Sequence, residues 1–419
     1  MINCNPPQTR PVQHNPMNHL HRREFINALV LTGTRNACRL RAIAPMAAGL
    51  MKARRASTLD YIESMRLKDG THGRYRYAAA MPEATLYSST YAAMTRSLYR
   101  DLDTLTQQQR KEWIEYLQAH QDYDGLFRDP LIFGAGWYKD DPEWCGRRHL
   151  SCHVVTALTC LGAVAAKPLV CLEPFYDKTR LSAWLAERDW SKADFVGNEV
   201  LNVGTLLQYA RDFQKEPRAS DAVRVLLDWL TQHHLDSGTG LWGTYDPATG
   251  PGLSRGVMGA YHFWLLYFYD RVPVPHAEAA IDHVLRTQGG KDNGFGQGVH
   301  GPRSSACEDI DSIDPLARLI EISGRRDDIT RALQRAEDHV WKHQNDDGGF
   351  TWIRGTKFEY GHPLLSSPVD GSGMFPTWFR TLSLAYLGSA LPSSITGSID
   401  WHFANCPGIQ FFHGASRKR

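Results

Sequence analysis

Four carboxylates crowd into seven residues of the run Cys307-Glu308-Asp309-Ile310-Asp311-Ser312-Ile313-Asp314-Pro315. Like charges this close repel, so at least one of them is expected to keep its proton at neutral pH. A carboxylic acid that stays protonated is what general-acid chemistry requires. Asp311 and Asp309 are therefore the candidate catalytic pair. Asp314, directly before Pro315, reads as a helix N-cap instead.

A second cluster is Trp144-Cys145-Gly146-Arg147-Arg148-His149-Leu150-Ser151-Cys152-His153. His149 and His153 are four apart, so on a helix both rings face one way. That spacing suits two metal ligands or two histidines lining a polar cavity. No third ligand accompanies them, so no metal site is assigned and the cofactor is left open. Arg147 and Arg148 are suited to an anionic group such as a phosphate or carboxylate. The remaining candidates are scattered along the chain. Glu199 is a further catalytic candidate, and Asn198, Arg255, Tyr261, His262 and Arg380 supply polar contacts. Tyr87, Trp264 and Trp378 supply aromatic faces for a ligand.

These residues converge only if the fold brings distant segments together, and an internal repeat supplies the means. A short glycine loop followed by an aromatic recurs as Gly73-Arg74-Tyr75, Asp124-Gly125-Leu126-Phe127, Gly240-Leu241-Trp242, Asn293-Gly294-Phe295 and Asp347-Gly348-Gly349-Phe350. A degenerate copy lies at 189–195. The period of roughly 50–60 residues marks a repeat architecture. Amphipathic segments precede the loops, for example at 59–67, 113–120, 225–235, 280–288 and 332–344. More apolar helices follow them, at about 87–100, 149–161, 198–211, 255–269, 314–322 and 376–387. A helix that is apolar all round must be buried all round. Six such pairs predict an inner ring of buried helices and an outer ring of amphipathic ones, an all-α (α/α)6 toroid over 55–392. Five of the six inner helices then bring an ionisable group near their start.

The loops Gln121-Asp-Tyr-Asp-Gly125-Leu-Phe127, Gln288…Gly294-Phe295 and Gln344-Asn-Asp-Asp-Gly348-Gly-Phe350 resemble the repeats of squalene-type terpenoid cyclases and of protein prenyltransferase β subunits. The resemblance implies a toroid acting on an isoprenoid in a central cavity. The run around Asp311 resembles the Asp-x-Asp-Asp motif of class II terpene cyclases, with Asp311 as proton donor and Asp309 as its supporting acid. Ser312 stands where that motif has its third acid. The zinc site of prenyltransferases is not carried over, because Cys307 precedes Asp309 in reversed order. Prenyltransferase β subunits pair with a second chain, so the resemblance also implies a protein partner on the toroid surface. Two other readings of the same residues stay open. A carbohydrate-active toroid would use paired carboxylates as acid and base, or a His and a Tyr at an α-proton. A non-catalytic toroid would bind a partner or ligand.

Charge separates the N-terminal end from the rest. Residues 1–56 carry nine Lys/Arg and one acid, against a whole-chain net charge of +2. The overall balance gives no reason to expect nucleic acid. Residues 1–54 read as a basic, weakly ordered extension, and 393–419 as a C-terminal tail. Arg22-Arg23 resembles a twin-arginine export signal, but arginines soon interrupt its apolar stretch, so a cytoplasmic protein is expected. No segment reaches the ~20 apolar residues of a membrane span. The eight cysteines form no CxxC pair and read as reduced thiols.

Overall fold

The glycine–aromatic repeats become the turns of helical hairpins in the computed structural model, which describes residues 36–132, 148–289, 292–298, 301 and 303–413. The outer helices are α1 (Asn36–Ser64), α3 (Gln107–Gln118), α5 (Lys178–Ala186), α7 (Arg218–Gln232), α9 (Ala277–Arg286) and α11 (Arg326–Trp341). The inner helices are α2 (Leu86–Leu98), α4 (Leu150–Cys160), α6 (Ala193–Asp212), α8 (Gly250–Asp270), α10 (Ala306–Leu319) and α12 (Met374–Ala390). The inner helices touch in cyclic order, and α12 packs back against α2. The ring is closed, and the fold is the expected all-α (α/α)6 toroid. From Leu50 onward the chain forms one compact unit. No helix among the described residues is long and apolar enough to cross a membrane.

Burial follows the predicted division of labour. Every residue of α2 is buried, whereas α3 buries only Trp113 and Leu117. Bridges tie Arg66 to Tyr75, Gln121 to Phe127, Gln288 to Phe295 and Gln344 to Phe350 across each loop. In the fourth hairpin a two-residue ladder, β1 (Leu235–Asp236) with β2 (Leu241–Trp242), does the same. The aromatics so delivered are at most 1% exposed, each contributing about 2–3 kcal/mol by burial. An inner-helix hydroxyl or carboxylate then holds the aromatic's N–H. Phe127 donates to Ser151 Oγ at 2.9 Å, Phe295 to Asp309 Oδ1 at 2.9 Å and Phe350 to Thr377 Oγ1 at 3.0 Å.

The sixth loop also closes the outer circle. Thr58 on α1 donates to the Gly348 carbonyl at 3.1 Å, and Gln344 Nε2 donates to Thr58 Oγ1 at 3.0 Å. Gly348 has φ +87°, and a Cβ there would collide with the Ser57 backbone. Both strain and overlap forbid a side chain. Gly348→Ala is expected to destabilise the protein by about 2–4 kcal/mol, measured as a fall in the midpoint of urea unfolding.

Two expectations about element boundaries need correction. The fifth inner helix begins at Ala306 rather than near 314, and its N-cap is Ser305, whose hydroxyl accepts from Glu308 N at 3.2 Å in a capping box. Asp314 is not a cap. It lies in mid-helix, paired with Arg318 Nε at 2.5 Å. Pro315 sits inside the helix, where it withholds the N–H that the Asp311 carbonyl would otherwise accept. The second surprise is the C-terminal segment, which runs across the C-terminal ends of the inner helices. Gln410 Nε2 donates to the Met94 carbonyl at 2.9 Å, Arg318 Nη2 donates to the Phe411 carbonyl at 2.6 Å, and Cys406 and Phe411 are fully buried. This segment forms the floor of the ring.

Candidate functional site

A cavity of ≈ 20 Å³ lies on the ring axis, above the floor residues Gly408, Ile409 and Gln410. Its walls include His149, His153, Asn198, Asn202, Thr156 and Trp378. That volume suits a water molecule. A larger depression of ≈ 290 Å³ is lined by Glu63, Arg96 and Asp101 among others, and none of the predicted site residues borders it.

His149 and His153, one turn apart at the start of α4, face this cavity together as their spacing predicts. Their ring centroids are 4.4 Å apart. His149 lies between two tyrosines: Tyr87 Oη is 2.7 Å from Nδ1, and Tyr360 Oη is 3.3 Å from Nε2. A neutral imidazole has one N–H, so one tyrosine donates to the ring and the other accepts from it. His153 packs against Tyr91 and Trp378, with centroids at 5.5 and 5.1 Å. Its Nε2 is buried and has no hydrogen-bond partner among the described residues. Across the cavity, Asn198 Nδ2 meets His262 Nε2 at 3.3 Å, and Asn202 Nδ2 donates to Asn198 Oδ1 at 3.0 Å.

Burial sets the protonation of these rings. It pushes His153 down to about 3 and His262 down to about 4. Burial, together with nearby His153 and His262, pushes His149 well below its ordinary value. All three are neutral at pH 7. The lone-pair nitrogens of His149 and His262 are met by a tyrosine and by Asn198 Nδ2, whereas His153 Nε2 has no hydrogen-bond partner among the described residues.

The acidic candidates sit elsewhere. Asp309 is fully buried beside α11 and α12, bonded to Arg380 Nη1, to His339 Nε2 at 2.9 Å and to Ser304 Oγ at 2.8 Å. It also holds the Phe295 loop, the position that Ser151 and Thr377 occupy in their hairpins. Burial raises its carboxyl, but His339 and Arg380 outweigh this and hold it below the usual carboxylate range. Asp311 is 3% exposed. Burial, reinforced by Glu308, Asp314 and Asp309, pushes its carboxyl well up, toward the protonated form. Neither Asp309 nor Asp311 borders the axial cavity.

The other candidates divide in the same way. Glu199 pairs with Arg188 at 2.9 Å and Arg255 with Asp194 at 3.3 Å, both at the periphery. Arg148 lies over the Phe175 ring, and Arg147 falls outside the described residues. Tyr261 Oη donates to Asp314 Oδ2 at 3.2 Å. Arg380 is buried on Asp309, and Trp264 is buried without bordering the cavity. Trp378 reaches the cavity and donates from Nε1 to Gln410 Oε1 at 2.7 Å. Sequence reasoning missed Tyr360 and Gln410. Both come from irregular segments, so helical periodicity carried no signal for them.

No family model matches this chain, and no curated protein matches it either. Among solved structures it is similar to a family 76 glycoside hydrolase from a bovine Bacteroides thetaiotaomicron strain. That match has a TM-score of 0.45 and 10% identity, and covers 82% of this chain and 78% of the other. It is also similar to the type II terpene cyclase MstE from Scytonema in complex with geranylgeranyl dihydroxybenzoate (TM-score 0.43, 12% identity, 84% and 98% covered). A polysaccharide lyase is similar too, with a TM-score of 0.44, 12% identity, and 81% and 98% covered.

Proposed function

We propose that the toroid is an enzyme that removes the proton α to a carboxylate on a uronic-acid glycan, with lyase-type elimination as the outcome. The observation that carries this reading is His153, buried, neutral and open at Nε2 beside the Tyr87–His149–Tyr360 chain. A buried nitrogen without a partner costs about 1–3 kcal/mol, a cost that a substrate group bonded there would remove.

In this reading His153 Nε2 takes the proton from the carbon next to the carboxylate. The electron pair left behind forms a carbon–carbon double bond as the neighbouring glycosidic C–O bond breaks. Tyr87, held at Oη by His149, returns a proton to the departing oxygen. The Asn198 and Asn202 amides are placed to donate to the carboxylate oxygens, where negative charge builds up. A nearby substrate carboxylate also favours the imidazolium that forms, which raises the basicity of His153 in the complex. A sugar is far larger than the resting cavity, so binding requires the residues around it to move aside.

Turnover of a uronate polysaccharide, followed by the ultraviolet absorbance of the conjugated unsaturated end, tests the proposal. Loss of that signal in His153→Ala, with the fold retained, is the expected result. Turnover undiminished in that variant sinks it. Asp311, buried and pushed toward its protonated form, favours a second reading, acid catalysis on an isoprenoid alkene. In that case prenyl substrates cyclise, Asp311→Asn abolishes the reaction, and the uronate panel stays silent.

A further inference from the structure

We infer that Asp292, His339 and His343 form a zinc-binding site, separate from the axial cavity and not assigned by the sequence reading. One nitrogen from each ring and a carboxylate oxygen of Asp292 lie within 4.8 Å of one another. His339 and His343 are one turn apart at the end of α11, and Asp292 comes from the glycine loop that follows α9. The two rings are 0% and 2% exposed. The Asp292 side chain is 20% exposed, so an ion has a way in from the loop side.

The hydrogen bonds determine which nitrogens are bare. His343 Nδ1 donates to the His339 carbonyl at 3.0 Å. Its Nε2 therefore carries a lone pair, and that atom is buried with no hydrogen-bond partner among the described residues. His339 Nε2 lies 2.9 Å from Asp309 Oδ2, which as a carboxylate can only accept, so the ring proton sits there. His339 Nδ1 is then bare, yet it faces the Asp292 carbonyl at 3.1 Å and Oδ1 at 3.7 Å. An acceptor thus confronts two acceptors. A cation satisfies both nitrogens and the carboxylate together.

The charge and chemistry of the cluster suit a dication. Asp292 and Asp309 carry two negative charges and Arg380 one positive. Arg380 is already engaged by Asp309 through Nη1 and by the Trp352 carbonyl through Nη2 at 3.0 Å. Two imidazoles and one carboxylate make a three-ligand set for zinc, with a fourth position open to water. Asp309, bonded to the far nitrogen of His339, orients that ligand as a carboxylate behind a metal-bound histidine does. Asp292 Oδ1 also accepts from Gly294 N at 3.2 Å, so a bound ion would clamp the Gly294–Phe295 loop to α11.

Calorimetric titration of the chelator-treated full chain with zinc chloride, alongside thermal melts, tests this. One zinc per chain and a raised Tm are expected for the unaltered protein. Affinity should fall about a hundredfold or more in His343→Asn and about tenfold or more in Asp292→Asn. Asp292 is on a partly exposed loop, so its variant keeps the test open should His343→Asn fail to fold. His153→Asn should bind zinc as the unaltered chain does, which separates this site from the histidine pair on the axis. Absence of stoichiometric zinc, or equal affinity in Asp292→Asn and the unaltered chain, overturns the assignment.

Discussion

His153→Ala is expected to lower kcat on a uronate polysaccharide by about a hundredfold to ten-thousandfold, the range for losing a positioned base. Among the described residues at the cavity, His153 is the histidine whose outer nitrogen is buried without a hydrogen-bond partner. KM should change much less, because the amides of Asn198 and Asn202 remain to hold the substrate carboxylate. Tyr87→Phe is the informative companion. It deletes the hydroxyl 2.7 Å from His149 Nδ1 and leaves the ring packing of Tyr87 against Tyr91 and His153 in place. Its deficit should shrink on substrates with a better leaving group, since that variant lacks the acid and not the base. Steady-state kinetics on two leaving groups checks the distinction. Equal deficits on both would remove Tyr87 from the chemistry.

Acid should reveal the same histidines through stability. The folded-state values of His153 and His262 lie at about 3 and about 4, below the ordinary value near 6.5 for an unfolded chain. Between those limits the unfolded state binds protons that the folded state refuses. Stability from each neutral ring is thus complete above about pH 6.5 and is lost as pH falls toward the folded value. Asp311, whose carboxyl burial pushes up, works in the opposite sense, so the whole-protein curve mixes both effects. A difference between variants isolates the histidine. Relative to the unaltered protein, His153→Gln should gain about 3 kcal/mol between pH 6.5 and pH 4. His153→Gln combined with His262→Gln should gain about 6 kcal/mol over the same interval if the rings act independently. Urea unfolding at a series of pH values measures this directly. A pH-independent difference would mean that the rings are hydrated and charged in the folded state.

The ring was legible because its signals are local and repeated. Gln344, Gly348 and Phe350 announce a turn by residue type alone, since only glycine tolerates the backbone at 348 and an aromatic must find burial. The all-apolar faces of α8 and α12 announce inner helices for the same reason. Helical spacing put His149 and His153 on one face, and Tyr87, Asn198 and Trp378 lie in the first two turns of α2, α6 and α12, whereas His262 lies in the middle of α8. The acidic run misled, because one-dimensional crowding says nothing about partners. Asp309 turned out to hold the Phe295 loop, Arg380 and His339, and Asp314 found Arg318. Pro315 drew the helix start eight residues too late, since a proline fits both a first turn and a strained interior.

Residue types and their period thus decided on their own that this chain forms six hairpins with buried inner helices, because turn strain and amphipathicity act within one or two helical turns. Which polar side chains meet on the axis was decided by closure of the ring. Tyr360 comes from a long irregular loop and Gln410 from the far C-terminal segment, and neither has a periodic pattern to report its destination. The pairing of Asp292 with His339 and His343 across two hairpins has the same origin. Contacts between segments far apart in sequence depend on how helices pack, and packing is a property of the closed toroid rather than of any stretch of residues.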